Sequence, residues 1–456
     1  MSNMIKAMNL AASGFTRRKF LKGLALGAGV ASLGSYEAVA QMVAGPRARP
    51  VRGWGVPEGF IRLSSNENPI GPSPRAVEAI MQYVYKFNRY YRGRGLYGQI
   101  AERHGLPVVI PTRDSQDRSE PWVTLGCGSS EVLFAIASAY LRDGGQMIEA
   151  APGYGGVIRT ARKYGARARL VRTTRDFHQD LDAMKAAVTE DTRVVIITSP
   201  GNPTGIIAPF EDLKKFVSDV PSDVMVFVDE AYIEFARNPQ DRIGAAPLIL
   251  DHENVIVTRT FSKIMGMAGL RIGYGLARPH VIEKLEDNKG GRVSALSMVA
   301  AEACIEDDDY QDRARETAWA GHDYFASQFE EMGLEYVPSQ SSFMLVNVRT
   351  DADEVTRKLF EEYNVLVGNG KRRWRMNNWL RVTSGLQEEN EAFIAALKKV
   401  LVSSWRHRTD PAQSPSGEAT VSGTGQSRQS RSGNRSSRYV SAQLDACRTC
   451  RHPSGQ

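Results

Sequence analysis

Between about residues 120 and 290, short apolar runs alternate with segments of helical periodicity. The runs at 193–200 (RVVIITSP), 223–232 (DVMVFVDEAY) and 254–263 (NVIVTRTFSK) are rich in β-branched residues, and each ends in polar groups. Because their apolar character is continuous, we expect strands covered on both faces, in a mainly parallel sheet with helices around it. Ligands of such sheets bind beyond the carboxyl ends of the strands, where polar side chains converge. The side chains concerned are Asn202, Asp229, Tyr232, Ser262 and Lys263.

The segment 125–145 (LGCGSSEVLFAIASAYLRDGG) opens with small residues and then places apolar residues at helical spacing until two glycines stop it. Glu131 stands where the third glycine of a dinucleotide-binding GxGxxG would fall, so that fingerprint fails. Two interpretations stay open at this point. The segment is either an ordinary capped core helix or a helix whose first amides hold an anion.

From about residue 295 the pattern changes to a long helical segment, then to strands at 342–348 and 379–385, then to a helix ending at about Ser403. This order predicts a smaller α+β domain, and there is no internal repeat. The predicted organisation is a signal peptide at 1–40, an N-terminal arm at 41–75, a large domain at 76–290, a small domain at 291–403 and a disordered basic tail at 404–456.

Composition and charge exclude one class of partner. The chain has 456 residues, 42% of them hydrophobic, and a formal net charge of +7. Residues 1–40 contribute +4 and residues 403–456 contribute +5, which leaves the part between them at −2. Without a basic surface in this central part, the chain is not predicted to bind nucleic acid.

The N-terminus resembles a twin-arginine export signal. Arg17 and Arg18 precede a short apolar stretch, and Ala38-Val39-Ala40 supplies a cleavage site after Ala40. A membrane anchor or a basic arm are the alternatives, but the apolar stretch is shorter than the ~20 residues of a transmembrane helix. We therefore expect export to the periplasm through the Tat translocon, with no stable membrane span.

The Ser-, Gly- and Arg-rich tail contains the chain's CxxC motif, formed by Cys447 and Cys450. One CxxC without a second ligand pair is weak evidence for zinc or redox chemistry, and a local disulfide or incidental thiols are the favoured alternatives. Cys127 and Cys304 are too few for a disulfide framework.

Lys263 is the one lysine of segment 260–275 (TFSKIMGMAGLRIGYG), which otherwise holds hydroxyls, glycines, methionines and aliphatic residues, with one arginine, Arg271, eight positions later. An ordinary loop lysine is one interpretation. The other is a desolvated lysine whose amine stays partly neutral and nucleophilic, as Schiff-base chemistry requires. Its position after a buried strand supports the second.

Five motifs in this order resemble the cofactor site of fold-type I enzymes that depend on pyridoxal 5′-phosphate, specifically class I/II aminotransferases. They are GCGSSE, PGYGG, SPGNPTG, VDEAYIEF and TFSKIMGMAGLRIGY. The segments LSSNENPIGPSP, NRYY and LRVTSG are most similar to the histidinol-phosphate aminotransferase group. The resemblance covers about residues 60–400 and implies an α/β fold with a mainly parallel central sheet, helices on both faces and a smaller α+β domain.

The resemblance also implies roles for individual residues. Lys263 would form the Schiff base and then move the substrate α-proton, and Asp229 would pair with the pyridine nitrogen. Asn202 and Tyr232 would bond to the phenolate oxygen, and Tyr154 would stack on the ring. The cofactor phosphate would be held by Gly128, Ser129, Ser130, Ser262 and Arg271, together with Tyr90 from the partner subunit of a homodimer. Arg381 and Asn68 would bind the substrate, an amino donor or a 2-oxo acid acceptor.

The chain departs from the histidinol-phosphate enzymes at positions that concern the substrate. Gly368 stands where they usually carry an arginine for the substrate phosphate, and Arg372 and Arg373 are the alternative cations nearby. SSFM at 341–344 lacks an asparagine, and Tyr91 replaces a preferred proline. We therefore expect an ordinary amino acid as substrate, and Tyr90, Tyr91 and Tyr97 favour an aromatic one. A decarboxylase, lyase or racemase on the same fold and a non-catalytic protein that binds the cofactor are the alternative functions.

Overall fold

The computed structural model describes residues 59–110 and 121–409, and those up to His407 belong to one compact unit. The strands of these segments are β1 (Ile61–Leu63), β2 (Val123–Gly126), β3 (Gln146–Ala151), β4 (Arg167–Arg172), β5 (Thr192–Thr198), β6 (Met225–Asp229), β7 (Val255–Thr260), β8 (Gly273–Leu276), β9 (Glu335–Val337), β10 (Phe343–Asn347), β11 (Val365–Asn369) and β12 (Trp379–Thr383). The α-helices are α1 (Pro74–Tyr83), α2 (Arg94–Arg103), α3 (Ser129–Leu141), α4 (Gly156–Lys163), α5 (Leu181–Ala186), α6 (Phe210–Asp219), α7 (Leu248–Asp251), α8 (Pro279–Glu286), α9 (Ala295–Cys304), α10 (Asp308–Glu331), α11 (Ala352–Tyr363), α12 (Gly370–Trp374) and α13 (Gln387–Thr409).

A large sheet has the strand order β2-β8-β7-β6-β5-β3-β4. The pairs β3–β4, β3–β5, β5–β6 and β6–β7 are parallel, whereas β8 runs antiparallel to both of its neighbours. The three apolar runs are β5, β6 and β7, and two separate apolar clusters of buried residues include side chains from these strands. The prediction of a mainly parallel sheet buried on both faces is confirmed.

A smaller sheet has the order β1-β11-β12-β10-β9. The two strands predicted near the C-terminus are β10 and β12, and they pair antiparallel. The pattern did not predict β1, which pairs parallel to β11 about three hundred residues later in the chain. Because a parallel partner so distant in the chain leaves no local signal, the sequence pattern predicts only an arm at residues 61–63.

Two helix boundaries differ from the pattern. The long helical segment from residue 295 is divided into α9 and α10, and Asp307 between them accepts a hydrogen bond from the Ser73 hydroxyl, 2.6 Å from Oγ to Oδ2. Helix α13 continues past Ser403 to Thr409, directly before the Asp410–Pro411 dipeptide that disfavours helix. The domain boundaries as a whole stay predictions.

The predicted signal peptide at 1–40 and the CxxC motif lie outside the described residues. Of the helices that the structure does describe, none has both the length and the apolar character needed to cross a bilayer.

Candidate active site

Lys263 lies in the turn after β7, partly buried at the carboxyl edge of the large sheet. Its Nζ donates to the carbonyl oxygen of Asn66 at 2.9 Å and lies 5.6 Å from the ring centroid of Tyr232. Burial, followed by the positive charge of Arg381, lowers the pKa of Lys263 to about 8. The structure therefore gives Lys263 the desolvated setting that Schiff-base chemistry requires, rather than that of an ordinary loop lysine.

Asp229 is the last residue of β6, the strand beside β7, and its side chain is buried. Burial raises the pKa of this carboxyl to about 6, while hydrogen bonds from Thr258 and from the amide of Ala231 act in the opposite direction. A protonated ring nitrogen placed beside such a carboxyl would favour its ionised form. Asp229 can therefore hold a proton on a pyridine nitrogen.

The N-terminus of α3 lies beside two side chains from the turn after β7, Ser262 and Arg271, and together they could hold an anion. The N-cap is Gly128, and the first amides of the helix, at Ser129 and Ser130, have no intrahelical acceptor. Arg271 lies against this end of the helix and donates from Nη1 to Ser262 Oγ at 3.4 Å. Helix amides, hydroxyls and a guanidinium together are the usual donors for a phosphate.

Gly128 is required for this arrangement. Its φ is +74°, and a Cβ placed on it would lie 2.3 Å from Nη2 of Arg271. A side chain at this position would push the guanidinium away from the helix end. The phosphate interpretation of residues 125–145 thus has geometric support that the sequence did not give.

Tyr154 lies half-buried in the loop between β3 and α4. Burial raises the pKa of its hydroxyl, with Asp229 contributing in the same direction, and a hydrogen bond with Ser130 opposes this. Tyr154 is therefore close to both the carboxylate and the anion site, as a side chain that covers a ring between them must be.

Asn66 contacts residues of this candidate site, although the sequence pattern does not identify it. Its Nδ2 donates to the Tyr232 hydroxyl at 2.9 Å, and its Oδ1 accepts from Thr383 at 3.1 Å. Together with the bond from Lys263 to its carbonyl oxygen, these contacts connect both sheets. The segment LSSNENPIG contained the signal, but nothing in it distinguished Asn66 from Asn68.

Arg381 lies in the middle of β12 and is only 2% exposed. Its guanidinium donates to Asn202 Oδ1 and to the carbonyl oxygen of Ser64, both at 2.8 Å. The Nε–H is buried without a hydrogen-bond partner among the described residues. Burial, with the charge of Arg373 in the same direction, lowers the pKa of Arg381 to about 10. This buried and incompletely paired cation is suited to an incoming carboxylate.

Other predicted residues lie apart from this cluster. The amide of Asn68 donates to Ile264 O at 2.9 Å and Tyr310 Oη at 3.0 Å, so its predicted contact with substrate has no support in these bonds. Tyr90 is 93% exposed, and Tyr91 donates to Glu302. A separate cavity is lined by Tyr90, Tyr91 and Tyr97, and its lining does not include Lys263 or Arg381. Within one chain, these tyrosines therefore give no argument for an aromatic substrate.

The residues fit pyridoxal 5′-phosphate. A nucleophilic amine, a carboxylate for the ring nitrogen and an anion cradle converge at one sheet edge, where Gly128 keeps the cradle open for Arg271. The amide nitrogen of Asn202 and the hydroxyl of Tyr232 are the donors available to a phenolate oxygen, since Asn202 Oδ1 is occupied by Arg381.

The comparisons with known proteins agree. The family described as aminotransferase class I and II matches residues 58–397. Histidinol-phosphate aminotransferase of Moorella thermoacetica is 37% identical over 342 residues, which cover 75% of this chain and 85% of that protein. Histidinol-phosphate aminotransferase 1 of Cupriavidus pinatubonensis is 36% identical over 374 residues, which cover 80% and 95%.

A solved structure supports the same assignment. Histidinol-phosphate aminotransferase from Sinorhizobium meliloti, in complex with pyridoxal-5′-phosphate, aligns with a TM-score of 0.67 and 25% identity over 75% of this chain and 91% of that chain. The chain therefore belongs to the class I and II aminotransferase family and is a pyridoxal-phosphate-dependent aminotransferase of fold type I.

Proposed function

We propose that the enzyme transfers the amino group between an amino acid and a 2-oxo acid, both held through their α-carboxylate by Arg381. The observation that carries this proposal is the buried Nε–H of Arg381, which has no partner among the described residues. After burial, the positive charge of Arg381 contributes most to the lowered pKa of Lys263. A carboxylate bound at Arg381 would thus lie close to the amine that must move its α-proton.

Lys263 performs the proton transfer. Its lowered pKa, about 8, leaves a useful fraction of neutral amine near neutral pH, and a neutral amine can take a proton from the α-carbon and return it elsewhere. The backbone oxygen of Asn66, 2.9 Å away, positions Nζ between the two sheets. Pyridoxal phosphate, when bound, supplies the conjugated ring that accepts the electrons released at the α-carbon.

Asp229 and Tyr232 keep the site ready for this transfer. The buried Asp229 carboxylate would hold a proton on the ring nitrogen, which makes the ring a better electron acceptor. The Tyr232 hydroxyl is fixed by the amide of Asn66 at 2.9 Å and by an edge contact with Phe343, 5.0 Å between ring centroids. Tyr232 can therefore donate to the phenolate oxygen without reorganisation.

The proposed substrate carries no phosphate group. Gly368 stands where the histidinol-phosphate enzymes usually carry an arginine for the substrate phosphate. Gly368 pairs directly with Arg381 across β11 and β12, and a Cβ on Gly368 would lie 2.9 Å from the Arg381 carbonyl oxygen. Because the two strands approach so closely here, glycine is favoured at position 368, beside Arg381. Each charge-assisted bond lost at this position would weaken a phosphorylated substrate by about 1.5 to 3 kcal/mol.

A panel of amino donors with 2-oxoglutarate as acceptor tests the proposed reaction in the purified holoenzyme. We expect formation of the matching 2-oxo acid, without stoichiometric carbon dioxide and without racemised donor. Carbon dioxide release or racemisation in place of 2-oxo acid would favour a decarboxylase or racemase. A hundredfold advantage for histidinol phosphate over phenylalanine, tyrosine and histidine would contradict the role of Gly368.

We also propose that the enzyme is a homodimer in which Tyr90 reaches the cofactor phosphate of the partner subunit. The nearly complete exposure of this large side chain in one chain supports the proposal. Analytical ultracentrifugation with an activity assay on the same fractions tests it. A fully active monomer would contradict it, and Tyr90→Phe is expected to weaken cofactor retention in the dimer.

We further propose export through the twin-arginine pathway, supported by the order of Arg17, Arg18, the short apolar stretch and Ala38–Ala40. A reporter fused to residues 1–45 should reach the periplasm, and the double change Arg17→Lys and Arg18→Lys should retain it in the cytoplasm. A wild-type fusion that stays in the cytoplasm would refute the proposal.

A further inference from the structure

The large sheet ends on one side at β4, whose outer edge has no neighbouring strand among the residues that the structure describes. In a parallel pair, alternate residues of a strand direct both N–H and C=O toward the neighbour. The amides of Arg167 and Thr173 donate to carbonyl oxygens in or next to β3, at 2.8 and 3.1 Å. The backbone groups directed away from the sheet are therefore those of Ala168, Leu170 and Arg172.

The side chains around this open edge are strongly basic. Residues 159–175 contain seven basic residues and no acidic one, and all seven side chains are exposed. They are Arg159, Arg162 and Lys163 of α4, Arg167, Arg169 and Arg172 of β4, and Arg175 after it. Within the described part of the chain, only Arg167 has an acidic partner within 4 Å, Asp191 at 2.7 Å. We call β4 with these seven cations the basic edge, which the net charge of −2 between the two chain ends conceals.

The two faces of β4 offer different chemistry to a strand added beside it. Because side chains alternate along a strand, Arg167 and Arg169 project from one face, and Leu170 and Arg172 from the other. The side chain of Leu170 is 46% exposed. An added strand would thus meet two cations on one face and, on the other, an apolar side chain followed by a cation.

Like charge disfavours two possible occupants of the basic edge. A second copy of β4 would place its own arginines opposite those of the first, and charged side chains keep edge strands apart in this way. Residues 1–40 and 403–456 carry +4 and +5, so they have the wrong charge as well. A strand with acidic side chains meets neither objection, because the arginines that repel a basic or identical strand attract it.

We propose that the basic edge binds an acidic, extended segment of another protein, which joins the large sheet as a strand beside β4. Backbone hydrogen bonds to residues 168, 170 and 172 would supply affinity, and carboxylates opposite Arg167, Arg169 and Arg172 would supply selectivity. Nucleic acids and anionic lipids could contact the cations, but neither has a peptide backbone to pair with the open edge. Three strands separate β4 from β7, which precedes Lys263, so the inference goes beyond the proposed function and does not depend on it.

Binding of defined peptides to the purified holoenzyme tests the proposal. The probe is a fluorescein-labelled peptide of four Glu-Val repeats, which places acidic and apolar side chains on opposite faces of a strand. The matched probe has four Glu-Pro repeats and the same charge, but its prolines cannot donate to a ladder. By fluorescence anisotropy, we expect the Glu-Val peptide to bind at least about tenfold more tightly, since two or more backbone hydrogen bonds depend on the difference.

Two double variants of equal net charge test the location. Arg169→Glu with Arg172→Glu should weaken binding of the Glu-Val peptide at least about tenfold, because two attractions become repulsions. Arg313→Glu with Arg357→Glu, at exposed positions of α10 and α11, should leave the affinity unchanged. Both variants should keep the circular dichroism and the cofactor absorption band of the wild type. Equal loss of affinity in both would overturn the proposal.

Hydrogen exchange of wild-type amides locates the peptide without any variant. The Glu-Val peptide should slow exchange at Ala168, Leu170 and Arg172, and leave Arg169 and Val171 unchanged because their amides are directed to β3. Equal affinity for the two peptides, or protection confined to other segments, would contradict strand addition. Failure to bind the Glu-Val peptide would also overturn the proposal, whether or not duplex DNA or phosphatidylglycerol vesicles bind to the enzyme.

Discussion

The two sides of the active site are built in different ways. On the cofactor side, Asp229 ends β6 and Lys263 follows the adjacent parallel strand β7, and the anion cradle lies at the start of the helix after β2. On the substrate side, Arg381 lies within a strand of the small sheet and is joined by the loop after β1 and by α12. The first side is made by strand ends, the second by contacts between distant segments.

This difference separates the chemistry from the choice of substrate. The edge of a parallel sheet fixes an amine and a carboxylate in positions set by the strands themselves. The substrate side depends on packing between β12, α12 and the Asn66 loop, so small changes there alter recognition without removing the reacting groups. Substitutions on the two sides should therefore have separable effects.

The largest effect is expected for Lys263→Ala. Because the substitution removes the proposed nucleophile and proton carrier, turnover should fall at least about 10⁴-fold and the visible absorption band should vanish. Removal of a charge that burial already disfavours should leave the fold intact, as circular dichroism can check. The surface substitution Lys185→Ala is the control, and a Lys263→Ala enzyme with wild-type turnover would refute the assignment.

On the substrate side, Arg381→Gln should lower kcat/KM for amino acids by about a hundredfold or more. The substitution would remove the two charge-assisted bonds that we propose between Arg381 and the α-carboxylate, each worth about 1.5 to 3 kcal/mol. The cofactor band should persist, because the cradle is on the other side. Arg381→Lys should recover only part of the loss, since an ammonium lacks the planar fork. Loss of the band together with activity would show that the two sides are not separable.

The sequence predicted the cofactor side because its signals are local. The apolar runs that form β6 and β7 have Asp229 and Lys263 at or near their ends. The small residues Gly128, Ser129 and Ser130 indicate the anion cradle. On the substrate side, a local signal, the LRVTSG segment, pointed to Arg381, but none pointed to the residues around it. Asn66 and Asn68 are equivalent in the sequence, and only the fold directs Asn66 to Tyr232. The pairing of β1 with β11 and the contact of Arg381 with Trp374 depend on tertiary packing.

A smaller effect, confined to the cofactor side, is expected for Gly128→Ala. The new Cβ would lie 2.3 Å from Arg271, so the guanidinium must move and the cofactor should bind about 10- to 100-fold more weakly. Gly144→Ala is a matched control, because Gly144 has a φ of +88° and no atom within 4 Å of the added Cβ. Equal cofactor affinity in the two variants would contradict the proposed cradle.

The smallest effect is a shift in pH dependence. Because burial and Arg381 lower the pKa of Lys263 to about 8, the apoenzyme should capture pyridoxal phosphate faster as pH rises, with a midpoint near 8 rather than 10.5. At neutral pH this means an about 300-fold larger fraction of neutral amine than an ordinary lysine has. Arg381→Gln should raise the midpoint, which stopped-flow absorbance can measure. A midpoint near 10.5 in the wild type would contradict a desolvated lysine.

The most direct test of the central claim is to identify the residue that carries the cofactor. Purified holoenzyme is treated with borohydride, which fixes pyridoxal phosphate to its lysine, and the digested protein is mapped by mass spectrometry. The cofactor mass should appear on the peptide containing Lys263 at close to one per chain. Cofactor fixed to another lysine, with Lys263 unmodified, would show that the site lies elsewhere.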